Sequence, residues 1–127
     1  MSFLLDTNVC IRYLSGRSPA ILRHLRVRHP GEICVCSVVK SEMFYGAMKS
    51  QDPIGNLHRQ EAFFAPFRSL SFDDRTARIF GKIRADLSRQ GIPVGPYDLQ
   101  IASIALANGC TLVTHNTAEF ARVEGLL

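Results

Sequence analysis

Short apolar runs alternate with longer amphipathic ones along the chain. Phe3-Leu4-Leu5 is the first such run, and it stops abruptly at Asp6-Thr7-Asn8. A short apolar stretch closed by turn chemistry reads as a strand buried on both faces, as in a parallel sheet. Asp6, Thr7 and Asn8 are N-cap residue types, and Val9, Cys10, Tyr13 and Leu14 follow as an amphipathic helical run. The pattern predicts a strand over 3–6 and a helix to about residue 14. Ser15-Gly16-Arg17 breaks it, and Ser18-Pro19 opens a second helix by cap and first-turn proline. Ile21, Leu22 and Leu25 are its apolar face.

The next strand is predicted over 32–36, with a helix over about 38–49 whose Val38, Val39, Met43, Ala47 and Met48 cover a core. Asp52-Pro53 repeats the cap-and-proline signal, and that helix ends before Pro66. Residues 69–72 alternate polar and apolar, the period-two pattern of a short half-exposed strand. Asp73 caps a helix over 74–90 closed by Gly91, with Ile79, Phe80, Ile83 and Leu87 on one face. Pro96-Tyr97-Asp98 opens a helix that is apolar almost all round, and such a helix is buried. Gly109 ends it. A strand over 111–114 and a turn at His115-Asn116-Thr117 lead into a short helix containing Glu119 and Phe120. Strands separated by crossovers of this length predict an α/β fold with a central parallel sheet of three or four strands. The 127 residues are expected to form a single domain, 1–127.

Composition changes this picture little. The chain is 46% hydrophobic and 20% charged, ordinary globular usage that argues against disorder. No apolar run approaches a membrane span, and the N-terminus enters a strand without the basic segment of a signal peptide, so the expected location is the cytoplasm. Cys10, Cys34, Cys36 and Cys110 lack any Cys-x-x-Cys spacing. No ligand spacing joins them to His24, His29, His58 or His115 as a zinc site, so buried reduced thiols are expected. A net charge of +4 points, weakly by itself, to an anionic partner such as nucleic acid. Neither G-x-G-x-x-G nor G-x-x-x-x-G-K-[ST] occurs, which disfavours glycine-rich nucleotide-binding folds.

The acids do change it. Asp6 ends the first strand, Glu42 lies on the helix after the second, Asp98 opens the helix before the last strand, and Asn116 and Glu119 follow that strand. In a parallel sheet all approach the carboxyl edge, where α/β folds bind ligands. Each has a plain alternative as a cap or a surface residue; together they favour a site. Clustered carboxylates repel, and a hard divalent cation removes that penalty. Mg²⁺ or Mn²⁺ held by carboxylate oxygens can activate water for phosphoryl displacement. A basic protein around an acidic pocket then suits a phosphodiester substrate. Arg75, Arg78, Lys82 and Arg89 share a stripe on the 74–90 helix, either a solvated face or a phosphate-facing one through which Arg75, Arg78 and Lys82 contact RNA. Ile54, Leu57, Phe63, Phe64 and Phe67 read as core or as a partner groove, core being the plainer reading.

Four segments carry a resemblance. Leu4-Leu5-Asp6-Thr7-Asn8, Ser41-Glu42-Met43-Phe44-Tyr45-Gly46, Gly95-Pro96-Tyr97-Asp98-Leu99-Gln100-Ile101-Ala102 and Leu112-Val113-Thr114-His115-Asn116-Thr117-Ala118-Glu119-Phe120 resemble the motifs of PIN-domain ribonucleases, most closely VapC-type toxins of toxin–antitoxin pairs. The resemblance covers nearly the whole chain. It implies a PIN-like three-layer fold, Mg²⁺- or Mn²⁺-dependent endoribonuclease activity on structured RNA including tRNA, and homodimers. It also implies a cognate VapB-type antitoxin in a higher toxin–antitoxin assembly. By position it implies that Asp6, Glu42 and Asp98 are the catalytic, metal-binding acids. Glu119 is the further metal-site acid, acting from behind the direct ligands or through a bridging water. Asn116 orients ligands or substrate, and Thr7, Asn8 and Thr114 are supporting residues. Two other classes stay in view: a PIN-fold module that holds RNA or protein without cutting, and a phosphatase with a nucleophilic Asp6. The phosphatase lacks the Asp-x-Asp expected after its first strand.

Overall fold

A computed structural model describes residues 2–16, 19–92, 94–114 and 117–123. The first strand, β1 (Phe3–Leu5), leads into α1 (Thr7–Ser15) and α2 (Pro19–Arg26). A 3-10 turn (Pro30–Glu32) precedes β2 (Ile33–Cys36), and α3 (Ser37–Met48) and α4 (Pro53–Phe64) follow. Then come β3 (Arg68–Leu70), α5 (Asp74–Gln90), α6 (Pro96–Asn108), β4 (Thr111–Val113) and the short α7 (Thr117–Phe120).

The four strands form one parallel sheet in the order β3-β2-β1-β4. Its two central strands are apolar on both faces for a physical reason: Leu4, Leu5, Cys34, Val35 and Cys36 are all 0% exposed, so helices must cover both sides. The apolar helix expected over the last crossover is α6, whose Ile101, Ala102, Ile104 and Ala105 are fully buried. Glycines close three helices in the left-handed conformation, Gly16, Gly91 and Gly109, at φ 67°, 68° and 62°. Such φ values cost a side-chain-bearing residue strain that glycine avoids.

Several predicted boundaries move, each for a local reason. β1 ends at Leu5 because the Asp6 side chain turns to cap α1. β2 begins at Ile33 because His29 Nδ1 accepts the Gly31 N–H and winds residues 30–32 into the 3-10 turn. β3 lies one to two residues earlier than its alternation suggested. Leu70 is the buried end paired with Cys36, and Phe72 has left the strand to pack on Phe80 at 5.8 Å. β4 stops at Val113, before Thr114. Thr76 is fully buried, which its polarity did not signal. Its N–H and hydroxyl both donate to Asp73 Oδ1, at 2.9 and 2.8 Å, so the burial is satisfied. The predicted cap Ser18 lies outside the described residues. All four cysteines are buried free thiols. Among the described residues no helix is long and apolar enough to cross a membrane.

Candidate active site

Asp6 sits where β1 ends and α1 begins. Its N–H donates to Val113 O of β4 at 3.1 Å, and its carbonyl accepts from Cys10 N at 3.2 Å. Its Oδ1 accepts the Val9 N–H at 2.9 Å. The residue is thus pinned by the sheet, by the helix and by its own cap. It is only 4% exposed, rare for an acid. The pairing Leu5↔Val113 places Thr114 beside it at the carboxyl edge.

Glu42 reaches the same place from another element. β2 delivers the chain to this edge, α3 starts there, and Glu42 is half-buried in its second turn. Thr7, the first residue of α1, donates its hydroxyl to Glu42 Oε1 at 3.1 Å. Two carboxylates from distant parts of the sequence are therefore joined through the residue next to Asp6. Asp98 is half-buried in the first turn of α6. Because α6 leads into the start of β4, its own first turn lies towards the edge where β4 ends.

The structure brings together Asp6, Thr7 and Glu42. Among the described residues no three His, Cys, Asp or Glu side chains close into a cluster able to hold a metal ion. Glu119 lies on α7, but its side chain, like the whole of Asn116, is outside the described residues. Asn8 is exposed on α1 and Thr114 is half-buried.

Two thiols under these acids were not singled out from the sequence. Burial pushes the Cys10 thiol far up, and the charge of Asp6 and then Cys36 add to the rise. Burial also lifts Cys36 to about 11; the Val39 and Val38 N–H groups oppose this, Glu42 adds to it and Lys40 opposes it. Both thiols stay protonated at neutral pH and add no charge near the acids. The signal was present: Cys10 follows Asp6 by one helical turn, and Cys36 ends β2. The donors left for a metal are carboxylate oxygens, the donor type that a hard cation such as Mg²⁺ or Mn²⁺ takes.

The basic stripe on α5 is not uniform. Arg75 Nη1 donates to Ala107 O at 2.7 Å, tying α5 to the end of α6. Lys82 pairs with Asp86 at 3.0 Å, and Arg78 is exposed. Of the apolar group on and after α4, Phe63 and Phe64 are core, Leu57 and Phe67 are half-buried, and Ile54 is 63% exposed.

The PIN-domain family model matches residues 3–126. A protein of Shigella flexneri named tRNA(fMet)-specific endonuclease VapC is 44% identical, over 99% of this chain and 95% of its own length. Among solved structures, DNA-bound VapBC from Salmonella typhimurium superposes with a TM-score of 0.93 at 38% identity. The match covers 99% of this chain and 95% of that one. VapBC2 from Rickettsia felis, bound to a promoter DNA fragment, gives 0.92 at 30% identity, covering 100% and 96%.

Proposed function

The chain belongs to the PIN-domain family, and within it to the VapC ribonucleases; on that premise we propose that it is a divalent-metal-dependent endoribonuclease. Its substrate is tRNA, and tRNA(fMet), in the name of the Shigella relative, is the first to test. The carrying observation is the pinned Asp6 beside the Thr7–Glu42 hydrogen bond at the carboxyl edge of a parallel sheet. Asp6, Glu42 and Asp98 would hold Mg²⁺ or Mn²⁺, with Glu119 behind them or through a bridging water. When bound, the ion supplies an activated water and neutralises charge in an in-line phosphodiester displacement.

The chain's own residues do the rest. The cap on Asp6 leaves its carboxylate one fixed direction at the sheet edge. The protonated thiols of Cys10 and Cys36 add no further negative charge near the acids. Asn116 and Thr114 orient substrate or ligands. The net charge of +4 draws the phosphate backbone towards an acidic pocket that would otherwise repel it. The chain acts in the cytoplasm as a homodimer, held inactive by a VapB-type antitoxin in a larger assembly. VapBC complexes among its structural relatives support that partner.

The test is cleavage of total tRNA by purified protein in Mg²⁺, in Mn²⁺ and with EDTA, with the new ends mapped. Discrete ends that need the ion are expected. RNA binding with no cleavage under any ion would replace this reading with a non-cutting RNA-holding module.

A further inference from the structure

We propose that Thr7 is a positioning residue for Glu42, holding that carboxylate towards Asp6 before any cation arrives. The inference rests on the metal-dependent reading above and adds to it the group that arranges the site. Thr7 is the first residue of α1, directly after the capped and buried Asp6, so its backbone is as fixed as that of Asp6. Its hydroxyl donates to Glu42 Oε1 at 3.1 Å across 35 residues of sequence.

Glu42 has three side-chain torsions and is only half-buried, so nothing in a helix surface position fixes its carboxylate. The charge on Asp6 acts against its approach, since like charges that share a site repel. A neutral hydroxyl donor offsets that repulsion without competing as a cation. Its bond engages one of the two Glu42 oxygens, Oε1. The effect is preorganisation: part of the ordering that a cation would otherwise impose is already done in folding. Partners that orient metal ligands in this way commonly set affinity by about 10- to 100-fold.

The test compares Thr7→Val, which keeps shape and removes the hydroxyl, with Thr7→Ser, which keeps the hydroxyl. Mn²⁺ is titrated directly by calorimetry into wild type, both variants and Glu42→Gln, with circular dichroism as the check on folding. Thr7→Val is expected to bind Mn²⁺ about tenfold more weakly, with Thr7→Ser near wild type. In tRNA cleavage, Thr7→Val should need correspondingly more Mg²⁺ for half-maximal rate but approach the wild-type rate at saturation. A folding defect would instead lower the saturated rate. If Thr7→Val does not fold, Thr7→Ala takes its place with the same expectation. Wild-type Mn²⁺ affinity in a folded hydroxyl-free variant overturns the proposal. If wild type binds no Mn²⁺ at all, the metal-dependent reading itself fails; if wild type and Glu42→Gln bind Mn²⁺ alike, Glu42 is not a ligand and the role of Thr7 falls.

Discussion

Asp6 does two jobs that a pair of substitutions separates. Its Oδ1 caps α1 through Val9, and its charge belongs to the proposed metal site. Asparagine caps a helix about as well as aspartate, so Asp6→Asn removes the charge and keeps the cap. Asp6→Ala removes both. The loss of the cap should cost about 1–2 kcal/mol, because the Val9 N–H is buried and would be left without a partner. For a chain of this size that is about 4–8 °C in melting temperature. Asp6→Asn should melt at or slightly above wild type in EDTA, since one of two neighbouring negative charges has gone. Saturating cation reverses the order. A ligand at about 100 times its dissociation constant stabilises the fold that binds it by about 2.7 kcal/mol, on the order of 10 °C here. Wild type should gain this with Mn²⁺ and Asp6→Asn should not. Melting by circular dichroism with EDTA or Mn²⁺, beside tRNA cleavage, reads all of it. Cleavage at the wild-type rate by folded Asp6→Asn would refute the charge role. Equal melting of Asp6→Asn and Asp6→Ala in EDTA would refute the cap.

Other consequences are simpler to check. The Cys36 thiol has a reference pKa of 9.0 and is raised to about 11 in the fold, so its contribution to stability is complete below pH 9 and is lost as pH rises from 9 to about 11. Denaturant midpoints across that window should fall, and fall less in Cys36→Ala relative to its own value at pH 8. A midpoint that rises with pH there would contradict a buried, protonated Cys36. Gly91 has φ 68°, so Gly91→Ala should lose about 1 kcal/mol in urea unfolding; no loss would mean that the left-handed cap is not used. Arg75→Ala should lower stability by about 1 kcal/mol through its lost bond to Ala107 O. Arg78→Ala, at an exposed position, should leave stability unchanged and weaken tRNA binding in a filter assay, more at low salt. The opposite assignment of the two arginines would show that α5 presents its stripe differently.

What could be read from the sequence depended on how local the cause was. The parallel sheet was legible because Phe3-Leu4-Leu5 and Ile33–Cys36 lack alternation, and only strands covered on both faces tolerate that. Helix ends at Gly91 and Gly109 were legible because a left-handed cap has a residue signature. β3 was misplaced because one buried residue, Leu70, and tertiary pairing with Cys36 decide its register, while the local alternation extended to Phe72. Arg75 was grouped with its stripe neighbours because nothing local reveals that the end of α6 comes within its reach.

The same distinction explains the site. Each acid was visible as a residue at the end of an element, but an edge position does not fix a carboxylate. Asp6 is fixed locally, by a cap three residues long. Glu42 is held across 35 residues, by a hydroxyl whose nearest explanation from the sequence was helix capping. Asp6-Thr7 is therefore one unit with two outputs: the acid caps its own helix and the hydroxyl next to it recruits the second acid. That arrangement needs the parallel pairing of β1 with β2, since α1 and α3 must start side by side for Thr7 to reach Glu42. The sheet register, and not the spacing of acids along the chain, is what makes the pair.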